Sequence, residues 1–150
     1  MSVYRDLEGS VVILVNADGC IAMQLRDNKP GLPAANKWGL FGGLIDTGET
    51  PTEVALREIQ EELSINLNPD LLSLYRKHYI PEQNLTTWVF RYLVDNELEN
   101  AILREGQMWD FLCEDDPRAL EIGLHHQEIV LDFWMGRNSK SDDAKVLEED

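Results

Sequence analysis

The sequence predicts one α/β or α+β sandwich, in which a β-sheet is packed by a central and a terminal helix. Three observations carry that reading. Short apolar runs rich in β-branched residues recur between turn residues, a strongly patterned helix interrupts them after Thr50, and a second helical pattern follows His125. At 150 residues and 43% apolar composition, the chain fits one hydrophobic core rather than two.

Taken in order, Ser10 to Val15 is a β-branched run that ends in the turn residues Asn16, Asp18 and Gly19. Cys20 to Leu25 is a second strand, and the two read as a hairpin. Asp27 to Lys37 holds Pro30, Gly31, Pro33 and two asparagines, so it is a loop of the kind that rigid scaffolds present at sites. Trp38 to Phe41 is a short apolar piece running into Gly42 and Gly43. Thr50 to Leu63 is the strongest helix: Thr50 caps it, Pro51 takes the first helical position, and Glu53 stands three residues after the cap. Leu71 to Ile80 and Leu85 to Val94 are strands, joined through Pro81-Glu82-Gln83-Asn84. Trp109 to Cys113 forms a last short strand. Helical structure resumes at Pro117 to Leu120, and His125 to Met135 sets Ile129, Val130, Phe133 and Trp134 at helical spacing. The expected domain covers residues 1–137, with 138–150 a charged, solvated tail.

The chain carries 28 acidic and 13 basic residues, for a formal charge of −15. That balance argues against coating a nucleic acid, whose phosphates are held chiefly by excess lysine and arginine. A small phosphorylated substrate remains compatible, provided divalent cations stand between the two sets of negative charge. Cys20 and Cys113 lie far apart in apolar runs without metal-ligand spacing, so the expectation is reduced core thiols in a cytosolic protein. No apolar run approaches the roughly 20 residues of a membrane span. The polar segment Met1 to Leu7 lacks a secretory signal's apolar stretch, and a cytoplasmic location without membrane contact is expected.

On the helix from Thr50, a step of about 100° per residue gathers Ala55, Leu56, Ile59 and Leu63 on one arc, wide enough to pack on a sheet. Glu58, Glu61 and Glu62 fall on the neighbouring arc. Such a crowd of like charges is unfavourable by a few tenths of a kcal/mol per pair at the surface, and by more where water is scarce. One resolution is a merely solvated acidic face. The other is a divalent cation: Mg²⁺ and Mn²⁺ prefer carboxylate and water oxygens and bridge to phosphates. Arg57 and Glu49 are placed to hold these carboxylates through the guanidinium.

The segment GLIDTGETPTEVALREIQEELSI, Gly43 to Ile65, resembles the Nudix box: Gly, five residues, Glu, seven residues, Arg-Glu, an aliphatic, any residue, Glu-Glu, any residue, Gly, an aliphatic. Gly43, Glu49, Arg57, Glu58, Ile59, Glu61, Glu62 and Ile65 are in register. Ser64 departs, standing where the family has Gly, and Phe41 stands where many relatives have Pro. The resemblance implies a Nudix fold, an α/β/α sandwich around a mixed sheet. It implies metal-dependent hydrolysis of the pyrophosphate linkage in a nucleoside diphosphate joined to another moiety, such as a nucleotide sugar, a nucleoside triphosphate or a dinucleotide. On the same ground Glu58, Glu61, Glu62 and the backbone carbonyl of Gly42 would hold Mg²⁺ or Mn²⁺, with Arg57 and Glu49 orienting them. Glu105 is the loop candidate for general base and Gln107 a candidate outer ligand. The family is often dimeric, so the resemblance leaves a homodimer open, and the sequence itself does not give the oligomeric state.

Tyr79, Trp88 and Tyr92 are candidates for stacking on a base, against ordinary packing in strands. Arg26, Lys29 and Lys37 flank the early loop and are placed to meet distal phosphates, against simple solvation. His125 and His126 read as helix-end residues or phosphate contacts. The alternative to an enzyme is a catalytically silent Nudix-like domain that binds a nucleotide and regulates a partner.

Overall fold

The structure is a computed structural model that describes residues 6–137; the tail expected at 138–150 lies outside them. The described residues form strands β1 (Leu7–Val15), β2 (Ile21–Leu25), β3 (Trp38–Gly39), β4 (Phe41–Leu44), β5 (Ser73–Ile80), β6 (Leu85–Leu93) and β7 (Met108–Leu112). Two α-helices accompany them, α1 (Pro51–Leu63) and α2 (Leu124–Arg137).

β1 lies at the centre of a mixed sheet. Along one edge it runs parallel to β6, from Leu7 opposite Leu85 to Val15 opposite Leu93. Along the other edge it pairs antiparallel with β4 and then, at Val15 and Ile21 alone, with β2. β2 continues the sheet through β3 and β7, and β5 closes the far edge against β6. The hairpin expected from Ser10 to Leu25 is therefore brief, because β1 passes its hydrogen bonds to β4. β1 also begins at Leu7, three residues before its β-branched run, because the parallel partner reaches that far. The apolar piece from Trp38 to Phe41 divides in two: the Leu40 N–H donates 3.0 Å to His126 Nδ1 instead of to a sheet carbonyl.

Alternation along β1 builds two cores. Val11, Ile13 and Val15 face α2 and pack with Ile21, Met23, Val89, Ile129, Val130, Phe133 and Trp134. Val12 and Leu14 face α1 and pack with Phe41, Ala55, Ile59, Leu63 and Phe90. A central strand buried on both sides needs a continuous apolar run, which is what Val11 to Val15 supplies. Each fully buried aliphatic contributes about 1.5–3 kcal/mol. Trp134 is 2% exposed, and its indole N–H is satisfied by donating 2.9 Å to the Gly19 carbonyl.

Cys20 and Cys113 correct the expectation of reduced thiols. The register of Ile21 with Leu112 places them opposite each other at the end of the β2–β7 ladder, with Cα atoms 4.1 Å apart, and they form a disulfide. A separation of 93 residues hid that neighbourhood from sequence reading. Among the described residues no helix is long and apolar enough to cross a membrane.

Candidate functional site

α1 is held in place at its start. The Thr50 hydroxyl accepts from the Glu53 N–H at 3.1 Å and the Thr50 N–H donates to the Glu53 carboxylate at 2.9 Å, a complete capping box with Pro51 following the cap. The buried Ser10 hydroxyl donates 2.7 Å to the Pro51 carbonyl and ties that first turn to β1. With the helix so seated, its carboxylates meet the β4 glycines. Any side chain at Gly42 would collide with the β1 backbone, its Cβ falling 2.1 Å from the Ser10 carbonyl oxygen. A Cβ at Gly43 would fall 2.6 Å from the Glu58 carboxyl carbon. The Gly-Gly pair is what lets strand and acidic helix approach this closely.

Glu62 is 4% exposed, more deeply placed than the helix border expected for it. Its carboxylate accepts from the Gly42 N–H and from the Gln24 amide, both at 2.9 Å. Burial pushes its pKa up to about 8; the charges of Glu58 and Glu105 add to the rise, while the Gln24 and Gly42 donors oppose it. Burial likewise raises Glu58, with Glu61 and Glu105 adding and Arg57 opposing. Among the described residues no lysine or arginine pairs with Glu62, so its ionised form lacks a neighbouring positive charge.

Arg57 gathers the other acids. It donates bidentately to Glu49 at 2.8 and 3.0 Å, and through Nη1 to Glu58 at 2.8 Å and Glu61 at 3.1 Å. The guanidinium holds the Glu49 carboxyl below its ordinary range, and Glu49 in turn raises the arginine. Glu61 is about half exposed at 52%. The three helix carboxylates thus point to one side of α1 without converging on a single centre, and among the described residues no group of three His, Cys, Asp or Glu side chains does so. Glu58 and Glu61 are turned toward Arg57, and Glu62 toward Gly42 and Gln24.

Beside this helix opens a polar cleft of about 390 Å³, lined by Gln24, Arg26, Asp27, Lys29, Arg104 and Glu105 among others. Glu105 enters it from the loop before β7, near enough for its charge to act on both Glu58 and Glu62. Arg26 also lines a second, more apolar cavity of about 230 Å³, built from Trp38, Gly39, Ile80, Leu85, Thr87, His125 and His126 among others. The two spaces share the Arg26 wall, and Arg26 is fixed there by donating from Nε to the Pro33 carbonyl at 3.0 Å.

Several expected residues lie elsewhere. Tyr79 pairs with Thr86 and Trp88 with Ser10, which puts both on the α1 face of the sheet, whereas the apolar cavity is on the α2 face. Lys77 covers the Trp88 ring at 4.2 Å and the indole N–H donates to Glu8, while the Tyr79 hydroxyl donates to Asn84. Tyr92 is 2% exposed and its hydroxyl accepts from the Asn68 N–H, so it is core. Gln107 braces the early loop, its amide donating to the Arg26 carbonyl at 2.8 Å and to Asn36 at 2.9 Å, rather than reaching the helix acids. Lys29 lines the cleft beside Asp27; Lys37 is exposed and outside it.

Gln24, Arg104 and His126 line the two spaces; sequence reading passed over Gln24 and Arg104 and took His126 for a helix-end residue or phosphate contact. Gln24 carried a signal, being polar within an otherwise apolar strand. His126 corrects the picture of a helix-end residue: it lines the cavity and accepts from Leu40, and burial, with the charges of Arg26, His125 and His78, pushes its pKa down to about 4. Its imidazole is therefore neutral, with Nδ1 the acceptor. Arg104 had no sequence signal beyond adjacency to Glu105.

The NUDIX domain model matches residues 7–133. The chain is 35% identical over 95 residues to an 8-oxo-dGTP diphosphatase of Escherichia coli (strain K12), covering 58% of this chain and 70% of that protein. It superimposes on a MutT protein from Methanosarcina mazei Go1 with a TM-score of 0.70 at 18% identity, covering 91% of this chain and 99% of that one. A MutT Nudix hydrolase from Burkholderia pseudomallei gives a TM-score of 0.68 at 24% identity, covering 86% and 98%. A bifunctional NMN adenylyltransferase/ADP ribose pyrophosphatase from Francisella tularensis, complexed with AMP and a manganese ion, gives 0.61 at 16% identity, covering 87% of this chain and 42% of that one. With the box in register on α1, the mixed sheet between two helices and a family match over nearly the whole described chain, this protein belongs to the NUDIX domain family and is a Nudix pyrophosphohydrolase.

Proposed function

We propose that the protein hydrolyses the pyrophosphate linkage of a nucleoside diphosphate derivative, a nucleoside triphosphate foremost, with the aid of Mg²⁺ or Mn²⁺. The observation that carries this reading is Glu62, a carboxylate buried to 4% exposure beside Glu58 and Glu105 with no cationic side chain on it. Carrying a charge there is unfavourable unless a cation or a proton neutralises it, and the all-oxygen donor set suits a hard divalent ion. Glu58, Glu61, Glu62 and the Gly42 carbonyl would hold that ion once Arg57 yields its bonds to Glu58 and Glu61. When bound it supplies charge neutralisation at the phosphates and a lowered pKa for the attacking water. Arg57, kept on Glu49, sets the direction of the remaining carboxylates. Glu105, on the cleft wall, takes the proton from that water.

The preference for a nucleoside triphosphate draws on the Escherichia coli relative's name and on the two adjoining spaces. The apolar cavity by Trp38 and neutral His126 suits a base, and the polar cleft suits phosphates, with Arg26 between them. A cytoplasmic location is part of the proposal, and subcellular fractionation with immunodetection of the chain is its test, with recovery in the soluble cytoplasmic fraction the expected result. The test of function is a panel of nucleoside triphosphates including 8-oxo-dGTP, nucleotide sugars and dinucleotides, assayed with Mg²⁺ and with Mn²⁺. Turnover of at least one member is expected, with pyrophosphate and a monophosphate as products of a triphosphate. A silent panel together with tight nucleotide binding would replace this reading with a regulatory nucleotide-binding domain.

A further inference from the structure

We propose that Arg104 binds the outer phosphate of the nucleotide and that Ser64, at the position the Nudix box gives to Gly, is the positioning residue that holds it there; this rests on the pyrophosphohydrolase reading above. Ser64 closes α1 in a left-handed conformation, φ 59° and ψ 34°, with its N–H donating to the Gln60 carbonyl. Glycine adopts that conformation with least strain, so a serine there calls for a use of its side chain. The structure supplies one: the Arg104 Nε donates to the Ser64 hydroxyl.

The backbone alone would leave the arginine head free. The Ile102 N–H donates to the Leu63 carbonyl and the Arg104 N–H to the Glu62 carbonyl, both at 2.9 Å, which stitches the Glu105 loop to the end of α1. Those bonds set the Arg104 backbone and leave its rotatable side chain undetermined; the Ser64 hydroxyl fixes the guanidinium by its Nε. Arg57, Arg76 and Arg118 are each tied to carboxylates. Among the described residues the two terminal nitrogens of Arg104 take no partner, although the chain carries 28 acidic residues. Arg104 lines the polar cleft together with Arg26 and Lys29. A guanidinium anchored by Nε and open at its terminal nitrogens is prepared to receive phosphate oxygens, and here the anchor is a neutral hydroxyl that leaves its charge uncompensated. Phosphates held against Glu58 and Glu62 extend into that cleft, so the cations meet the end of the polyphosphate.

A merely structural role for the pair, as a staple on the end of α1, makes different demands. The experiment is calorimetric titration of inorganic pyrophosphate in the presence of Mg²⁺ onto the whole protein and onto Ser64→Gly, Arg104→Gln and the double variant, with melting temperatures alongside. Arg104→Gln is expected to weaken pyrophosphate about tenfold, the scale of one charge-assisted contact. Ser64→Gly is expected to weaken it severalfold while melting no lower than wild type, because glycine suits the left-handed site. The double variant is expected to bind no worse than Arg104→Gln alone. With a hydrolysed substrate, the change should appear in KM, with kcat held within about threefold, as for a contact made equally in ground and transition states. Wild-type affinity in Ser64→Gly, or independent additive losses in the double variant, would overturn the proposal. Because pyrophosphate binding needs no turnover, a silent substrate panel would sink the enzymatic reading without deciding this one.

Discussion

On the α1 face of the sheet the strongly shifted group is Glu62, a carboxylate raised to about 8; on the α2 face it is His126, a half-buried imidazole lowered to about 4. Both shifts come first from burial, which disfavours whichever form carries charge. The consequences differ. The imidazole is satisfied as a neutral acceptor from Leu40 and can stay so at neutral pH. The carboxylate keeps two donors, Gly42 and Gln24, and still lacks a counter-charge. One face is finished as it stands; on the other, the proposed cation would supply the missing charge. The layers around them agree: α2 meets the sheet through Ile129, Val130, Phe133 and Trp134, while α1 shares its buried arc with an acid.

The sharpest way to break this contrast is Glu62→Gln. It is expected to lower kcat by about a thousandfold, the scale of losing a group that organises transition-state charge, while melting close to wild type. Wild-type turnover would remove Glu62 from the chemistry. On the opposite face, Ile129→Ala opens a cavity at a residue 1% exposed. It is expected to cost about 2–5 kcal/mol in urea unfolding, with turnover per folded molecule unchanged.

Gly43→Ala comes next in size. Its Cβ would meet the Glu58 carboxyl carbon at 2.6 Å, so Glu58 must move. Activity is expected to fall about tenfold or more and stability by about 1 kcal/mol, measured by steady-state kinetics and thermal melting. A small stability loss with full activity would show that Glu58 has slack.

The remaining effect concerns pH and leaves turnover at neutral pH unchanged. The folded pKa of His126, about 4, lies below the ordinary value of 6.5. Above pH 6.5 both states are neutral and the group adds no slope. As pH falls from 6.5 to 4 the unfolded chain takes a proton that the folded chain refuses, so stability drops, by up to about 3 kcal/mol. Glu62 works in the opposite direction, since its raised folded pKa makes the fold gain as pH falls through 8. The His126 effect is therefore read as the difference between wild type and His126→Gln in urea unfolding at pH 7.5, 5.5 and 4.5. The variant is expected to approach or overtake wild type at the acid end. Parallel curves would mean that the imidazole titrates normally.

The two faces also differ in how far the sequence betrayed them. The acids of α1 are legible because one helix and the strand and loop before it carry them with Arg57, Glu49 and the glycine pair, whereas Gln24 and Arg104 come from β2 and a distant loop. Helical spacing gathers Glu58, Glu61 and Glu62, and the capping box announces where the helix starts. The apolar cavity is assembled from the early loop, β3, β5, β6 and the start of α2. No local period links Trp38 to Ile80 or His126, and sheet register alone puts Tyr79 and Trp88 on the opposite face. The same limit applies to Cys20 and Cys113, neighbours only because β2 pairs with β7. Ser64 was legible as a departure from the box, but its partner Arg104 is supplied by a loop 40 residues on.

The central claim is that the buried acid of α1 takes up a divalent cation. Its most direct test is titration of Mn²⁺, followed by electron paramagnetic resonance, onto wild type and Glu62→Gln at pH 7.5. The wild-type protein is expected to bind the ion and the variant to bind at least about tenfold more weakly, with both folded by circular dichroism. Equal affinity in the two, or no uptake by the wild type at millimolar Mn²⁺, would contradict the account.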